Sequence, residues 1–248
     1  MARDHLHSNI QRRNRDTRQA RRIILYVEGR NTEPSYFALL KRSNCTTIPV
    51  TVPGHGIASC VDFVEEVNAK FNRLPEKNRA KFAQKWMVFD CDGHEDFANA
   101  IRKAREYGFR VVFSNMCIEY WFMLHFYNHS GEAIPLKENS HSQAQIDEVN
   151  RFIRSYNKKN DADVKLYDCD SKLIEDDFFD LMLAIDPVTH QRRIEDACKR
   201  AENIHLNKKR VGAEFRESVT NMYELMIELG VVRKIKQGDD SYKYELNK

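Results

Sequence analysis

The sequence predicts an α/β fold: a mainly parallel sheet flanked by helices, followed by a mostly helical second half. Three observations carry the prediction. Apolar strand-like runs alternate with helix-patterned segments four times between residues 23 and 127, the order that layers helices over a parallel sheet. Two of those runs, Ile23 to Val27 and Trp86 to Phe89, are continuously apolar, as strands buried on both faces are. Nine glycines and six prolines among 248 residues are few turn-formers, which favours regular helix and strand over loop.

The elements follow in order. The first strand starts at Ile23 and ends at Glu28-Gly29. Thr32, Glu33 and Pro34 open a helix, with threonine as cap and proline tolerated in the first turn, and Tyr36, Phe37, Leu39 and Leu40 carry it to about Arg42. Thr46 to Val52 is rich in β-branched residues and reads as the second strand. Pro49 places that strand at an edge, because proline cannot donate to a ladder on both sides. After the Pro53-Gly54-His55-Gly56 turn, Val61, Val64 and Val67 recur at helical spacing between Ile57 and Phe71. Trp86 to Phe89 is the third strand and runs into Asp90-Cys91-Asp92-Gly93-His94. Glu95 to Tyr107 is helix, Arg110 to Phe113 the fourth strand, and Cys117 to Phe126 another helix.

Residues 128–140 lose the periodicity and read as a connecting loop. Helical patterns then cover Gln143 to Asn157, Glu175 to Ala184, Gln191 to Ile204 and Ser218 to Leu229. A hairpin closes the chain, Val231 to Ile235 pairing with Tyr242 to Leu246 across Gly238-Asp239-Asp240. The expected division is a basic arm at 1–22, an α/β domain at 23–127 and a helical region at 128–248, packed directly on the sheet half.

Composition excludes several classes. With 42% hydrophobic residues the chain has enough apolar surface to offset the entropy of folding. Its longest strongly apolar stretch, Tyr120 to Tyr127, is interrupted by His125 and falls far short of the ~20 residues that span a bilayer. No membrane partner is expected, and no secretory signal is read in the first twenty residues, so the expected location is the cytoplasm. The six cysteines, Cys45, Cys60, Cys91, Cys117, Cys169 and Cys198, have neither Cys-x-x-Cys nor zinc-ligand spacing and read as reduced thiols. A net charge of +3 says little, but residues 1–22 hold seven arginines against two aspartates. Arg12, Arg13, Arg21 and Arg22 are thus candidate phosphate contacts; a merely solvated terminus is the alternative.

In an open α/β sheet, functional groups gather at the carboxyl ends of the strands. Glu28 follows the first strand, Asp90 and Asp92 follow the third, and Glu119 lies early in the helix after the fourth. The Asp-x-Asp pair is expected to point to one side of an extended segment, with Cys91 turned into the packing. Two such carboxylates repel and call for a cation, and hard oxygen ligands suit Mg²⁺ or Mn²⁺. Asp168-Cys169-Asp170 repeats the tripeptide but precedes a polar segment and a helix whose start favours acids, so no metal role is assigned to it. His94 is read as either a phosphate contact or a cap. Glu119 stands out as an acid among Ile118, Tyr120, Trp121 and Phe122, where burial without a partner is costly. His125 reads as packing, and His55 as a flexible loop contact near the site. Asn207-Lys208-Lys209-Arg210 fits a helix C-terminus. Gly54-His55-Gly56 lacks the remaining features of a nucleotide fingerprint.

Val27-Glu28-Gly29, Thr32-Glu33-Pro34, Tyr36-Phe37, Phe89 to His94, Ser114-Asn115, Glu119, Trp121 and Leu124-His125-Phe126 together resemble the RloB family, part of the wider Toprim superfamily. The resemblance covers nearly the whole first half and is loose over the second. Where this chain has Cys91, Gly93 and Met116, the family commonly has a larger or charged residue, an acid and a proline; no presumed ligand is lost. The resemblance implies a Toprim core in which Glu28 is the superfamily's glutamate, as acid/base or metal ligand, and Asp90 with Asp92 its metal-binding pair. It implies a divalent-metal-dependent nuclease acting on RNA such as tRNA, or on DNA, in bacterial anti-phage defence. A free nuclease would harm its host, so restraint by a protein partner, a homo-oligomer or an infection signal is expected. The competing expectation is a nucleic-acid-binding module that keeps the fold without catalysis.

Overall fold

The computed structural model describes residues 22–42, 48–52, 59–138, 140–216, 218–238 and 241–247. A five-stranded sheet forms its centre, in the order β2-β1-β3-β4-β5, with β1 at Arg22–Val27, β2 at Ile48–Val52, β3 at Gln84–Asp90, β4 at Arg110–Asn115 and β5 at Val219–Thr220. The first four strands are parallel and β5 is antiparallel to β4. Burial of every residue from Ile23 to Val27 means that both faces of β1 are covered, since successive strand side chains point to opposite faces. β2 is an edge strand, and its Pro49 lies opposite Ile23.

Nine helices are present among the described residues. They are α1 (Thr32–Arg42), α2 (Cys60–Arg73), α3 (Glu76–Arg79), α4 (Phe97–Glu106), α5 (Glu119–Met123), α6 (Gln143–Asn160), α7 (Asp176–Leu183), α8 (Arg193–Arg210) and α9 (Met222–Glu228). The Ser59 side chain caps α2 by accepting from the Asp62 amide. Helices α2 and α4 pack together and against β3 and β4, whereas α5 packs on β4, β5, α6 and α8.

Two segments differ from their predicted form. Ser218 to Leu229 is not one helix: Val219 and Thr220 first pair with β4, and α9 begins only at Met222. Asn221 makes the break, since its side chain accepts from the Phe113 amide and donates to the Val111 carbonyl, anchoring the chain to β4 before it coils. Between Cys117 and Phe126 the α-helix is confined to α5, and tighter i→i+3 bonds such as His125 N to Phe122 O continue it. The terminal hairpin forms as β6 (Val232–Gln237) and β7 (Ser241–Leu246), with Val232 opposite Leu246.

One contiguous apolar core includes Leu25, Trp86 and Phe113 from the sheet together with Phe178, Ala201 and Tyr244 from the later part of the chain. Its buried aromatics keep their polar atoms paired: Trp121 Nε1 donates to Tyr36 Oη at 2.9 Å, and Tyr36 Oη faces Met226 Sδ at 3.8 Å. No described helix is long and apolar enough to cross a membrane.

Candidate active site at the carboxyl ends of the strands

Parallel pairing of β1 with β3 brings the two strand ends side by side. The Glu28 amide extends the ladder by donating to the Val88 carbonyl at 3.0 Å, and Glu28 Oε2 accepts from the Asp90 amide at 3.1 Å. Asp90 closes β3, and its Oδ2 accepts from the Ile118 amide at 2.8 Å. Asp90 is therefore tied through its amide to Glu28, just past β1, and through its carboxylate to the entry of α5.

Asp92 departs from the expected geometry. The strand ends at Asp90, and Asp92 and Gly93 adopt φ of +42° and +76°, so the alternation that would align Asp92 with Asp90 no longer applies. Asp92 is exposed and still lines the same hollow as Asp90. Cys91 is turned into the core, as its place between the aspartates predicts. A Cβ on Gly93 would lie 2.8 Å from His141 Cε1, so the loop presses against the His141 ring.

The hollow measures about 380 Å³ and gathers five carboxylates: Glu28, Glu33, Asp90, Asp92 and Glu119. Glu33 sits in the first turn of α1 and is 5% exposed. Its Oε1 accepts from the Gly29 amide at 3.2 Å, and a Cβ on Gly29 would fall 1.9 Å from Glu33 Oε2. Only glycine at 29 lets that carboxylate fold back beside Glu28. Glu119 is 2% exposed, and its Oε1 accepts from Tyr167 Oη at 3.0 Å. Tyr167 also contacts Thr32 Oγ1 at 3.2 Å, and the same hydroxyl donates to the Lys172 carbonyl at 3.0 Å. The segment around 167–172 thus closes one wall and adds Lys172, which with Arg30 and His94 completes the basic lining.

Crowded acids in a half-enclosed space hold on to protons. Burial, reinforced by Asp92, Glu33 and Asp96, pushes the Glu28 carboxyl up to about 7 against the opposing hydrogen bond from Asp90. Glu33 is likewise pushed up to about 7 by burial and by Glu119, with its backbone hydrogen bonds and Lys172 opposing. Asp90 is raised well above the ordinary carboxylate range by burial, then by Glu33, Asp92, Glu119 and Glu28. Once ionised, an all-oxygen donor set of this kind suits a hard divalent cation. Among the described residues, donor atoms of three such groups come within 4.8 Å of one another only at the exposed Asp168, Cys169 and Asp170. There Asp168 accepts from the Asp170 and Ser171 amides, a turn-forming use of its oxygens. At Glu28 and Asp90, one oxygen of each is instead tied to a backbone amide.

Of the residues singled out from sequence, Glu28, Asp90, Asp92, Glu119 and His94 share the hollow. Arg22 does not: it begins β1, at the opposite end of the strand from Glu28, because a strand separates its ends by about 3.3 Å per residue. Arg12, Arg13, Arg21 and His55 lie outside the described residues. His125 is buried with its ring 4.7 Å from Trp121 and Nδ1 on the Trp121 carbonyl at 3.0 Å, a packing role. Lys208, Lys209 and Arg210 occupy the last turn of α8. Sequence reasoning missed Glu33, read only as a helix-start residue, and also Tyr167 and Lys172. The signal for Glu33 was its spacing from Glu28 across a single glycine-led turn; for the other two no local signal exists, since they reach the site from 48 to 140 residues away.

An open α/β sheet whose neighbouring strands deliver carboxylates into one crevice defines a class of acidic strand-end sites. The chain belongs to the RloB-like protein family, whose family model matches residues 23–229. No curated protein and no solved structure matches it significantly.

Proposed function

We propose that the sheet is a Toprim core and that the protein is a divalent-metal-dependent nuclease, cleaving phosphodiesters of RNA such as tRNA, or of DNA, in bacterial anti-phage defence. The observation that carries the reading is the joining of Glu28 and Asp90 across adjacent strand ends, in a hollow with three further carboxylates. Asp90, Asp92 and Glu28 are the residues to hold Mg²⁺ or Mn²⁺, and the oxygen-only chemistry of that donor set fits such an ion. A bound cation supplies polarisation of the phosphoryl oxygen and stabilisation of charge on the attacking or leaving oxygen. Through the oxygen not engaged by Asp90, Glu28 serves either as the third ligand or, poised near neutrality, as the group that exchanges a proton. Glu119, oriented by Tyr167, fixes the floor of the hollow, while Arg30, Lys172 and His94 face the anionic substrate.

Purified full-length protein incubated with RNA and DNA pools in Mn²⁺ or Mg²⁺ tests this directly. Cleavage is expected to stop on chelation and to drop by about 10² to 10⁴ in Glu28→Gln and Asp90→Asn, with Asp168→Ala unchanged as control. Cleavage that survives either substitution, or that persists in chelator, overturns the assignment.

A further inference from the structure

At the opposite end of the sheet the charge pattern inverts. From Lys70 to Lys85 the chain carries six cations, Lys70, Arg73, Lys77, Arg79, Lys81 and Lys85, against a single acid, Glu76. Three of them, Lys70, Lys81 and Lys85, line two adjoining hollows of about 480 and 360 Å³ formed by the end of α2, α3 and the start of β3, and the half-buried ring of Phe82 lines both. Arg22, Lys70 and Lys81 line the first and Lys85 and Arg110 the second; no acidic side chain belongs to either lining among the described residues, although Glu66 pairs with Lys70 at 3.2 Å and Glu228 with Arg110 at 2.6 Å from beside them. Lys85 is held in place: its Nζ lies 4.1 Å from the Phe109 ring centre and 4.7 Å from that of Phe71, and donates to the Tyr107 carbonyl at 2.7 Å. The Arg110 guanidinium is stacked 4.1 Å over Trp86. Fixed cations on aromatic rings lose little freedom when an anion arrives.

We propose that this concave basic face, at the amino ends of β1, β3 and β4, is an anchoring site for single-stranded nucleic acid, separate from the acidic hollow. Phosphates meet Arg22, Lys70, Lys81 and Lys85, and an unstacked base enters beside Phe82, since an aromatic ring among cations is the arrangement that binds single strands without sequence preference. A run of Asp and Glu would satisfy the cations but offers no ring to stack beside Phe82, whereas every nucleotide brings both a phosphate and a planar base. Arg22 and Glu28 lie at opposite ends of β1, so the two sites stand roughly 20 Å apart at ~3.3 Å per residue, and a strand held here is long enough to be gripped while another part of it reaches the carboxylates.

The test is a binding measurement in chelator, where metal-dependent cleavage plays no part, so its failure is distinct from failure of the nuclease assignment. Full-length protein is titrated against labelled single-stranded RNA and DNA oligomers of one sequence by fluorescence anisotropy, over a series of salt concentrations. The triple variant Arg22→Gln, Lys70→Gln, Lys81→Gln is expected to bind both at least about tenfold more weakly, with the salt slope reduced by about 2 for three lost phosphate contacts. Phe82→Ser should weaken binding with the salt slope unchanged, which separates stacking from charge. Lys158→Gln with Lys159→Gln, at the exposed end of α6, should leave affinity as it was. Unchanged affinity and slope in the triple variant, an equal loss in the α6 control, or competition by poly-glutamate as effective as by unlabelled RNA would each overturn the proposal.

Discussion

Gly29 shows how one atom decides the chemistry of the hollow. Its missing Cβ is what allows Glu33 to turn its carboxylate back onto the Gly29 amide. Gly29→Ala would push that side chain away from a place where it is 5% exposed, leaving a buried carboxylate without its donor. The expected outcome is a folded protein less stable by about 1 to 3 kcal/mol that needs more Mn²⁺ for half-maximal cleavage, measured by denaturant melts and metal titration. A variant matching the wild type in both would show that Glu33 plays no part in the site. At this scale the sequence was legible where chemistry is local. Glu28 and Asp90 announced themselves as acids ending apolar runs, whereas Glu33 looked like an ordinary first-turn acid. Asp92 lines the same hollow as Asp90, but a positive φ, and not the expected strand alternation, sets its direction.

Among the elements, those with strong internal patterning were the readable ones. The helix Thr32–Arg42 and the edge position of the Pro49 strand follow from periodicity and the missing proline donor, but Thr32 is the first helical residue and its hydroxyl turns to Tyr167 and the Lys172 carbonyl instead of capping. β5 was not readable, because two residues become a strand only when β4 offers its edge and Asn221 clips the chain to it. The wall built from residues 167–172 is non-local in the same sense. Tyr167 is its pin, joining Thr32 at the start of α1 to Glu119 at the start of α5, and its amide and carbonyl are held by Asn150 of α6. Tyr167→Phe keeps the ring in the core but leaves Glu119 without that donor. It is expected to cost about 1 to 3 kcal/mol and to lower kcat for cleavage more than it raises KM, since the groove for substrate is unchanged. A change in KM alone would indicate that the segment acts only in binding.

For the whole molecule, the acidic hollow sets a conflict between folding and function that the solution pH exposes. Glu28 and Glu33 ionise with an ordinary value of 4.5 once unfolded but hold their protons up to about 7 when folded. Below the unfolded value both states are protonated and the hollow carries no penalty; as pH rises toward 7 the unfolded chain releases protons that the folded one retains, so folding stability falls. Each pH unit of that interval is worth up to about 1.4 kcal/mol per group, and Asp90, raised by the same burial and neighbours, adds to the loss. In chelator the melting temperature should therefore decline from pH 5 to pH 8. A divalent cation that binds the ionised carboxylates stabilises only the folded state, so Mn²⁺ should restore the loss at pH 8 and do little at pH 5, where protons compete for the same oxygens. Asp90→Asn removes one of the mutually repelling charges, and its Oδ1 can keep the Ile118 amide. It should melt higher than the wild type at pH 8 in chelator while losing most of the Mn²⁺-induced rise, a gain in stability that accompanies loss of the site. Scanning calorimetry of both proteins, with and without Mn²⁺ at each pH, checks all of these signs. A wild-type melting temperature that is flat across the range, or an Mn²⁺ shift of equal size in Asp90→Asn, would mean that the carboxylate cluster neither destabilises the fold nor receives the ion.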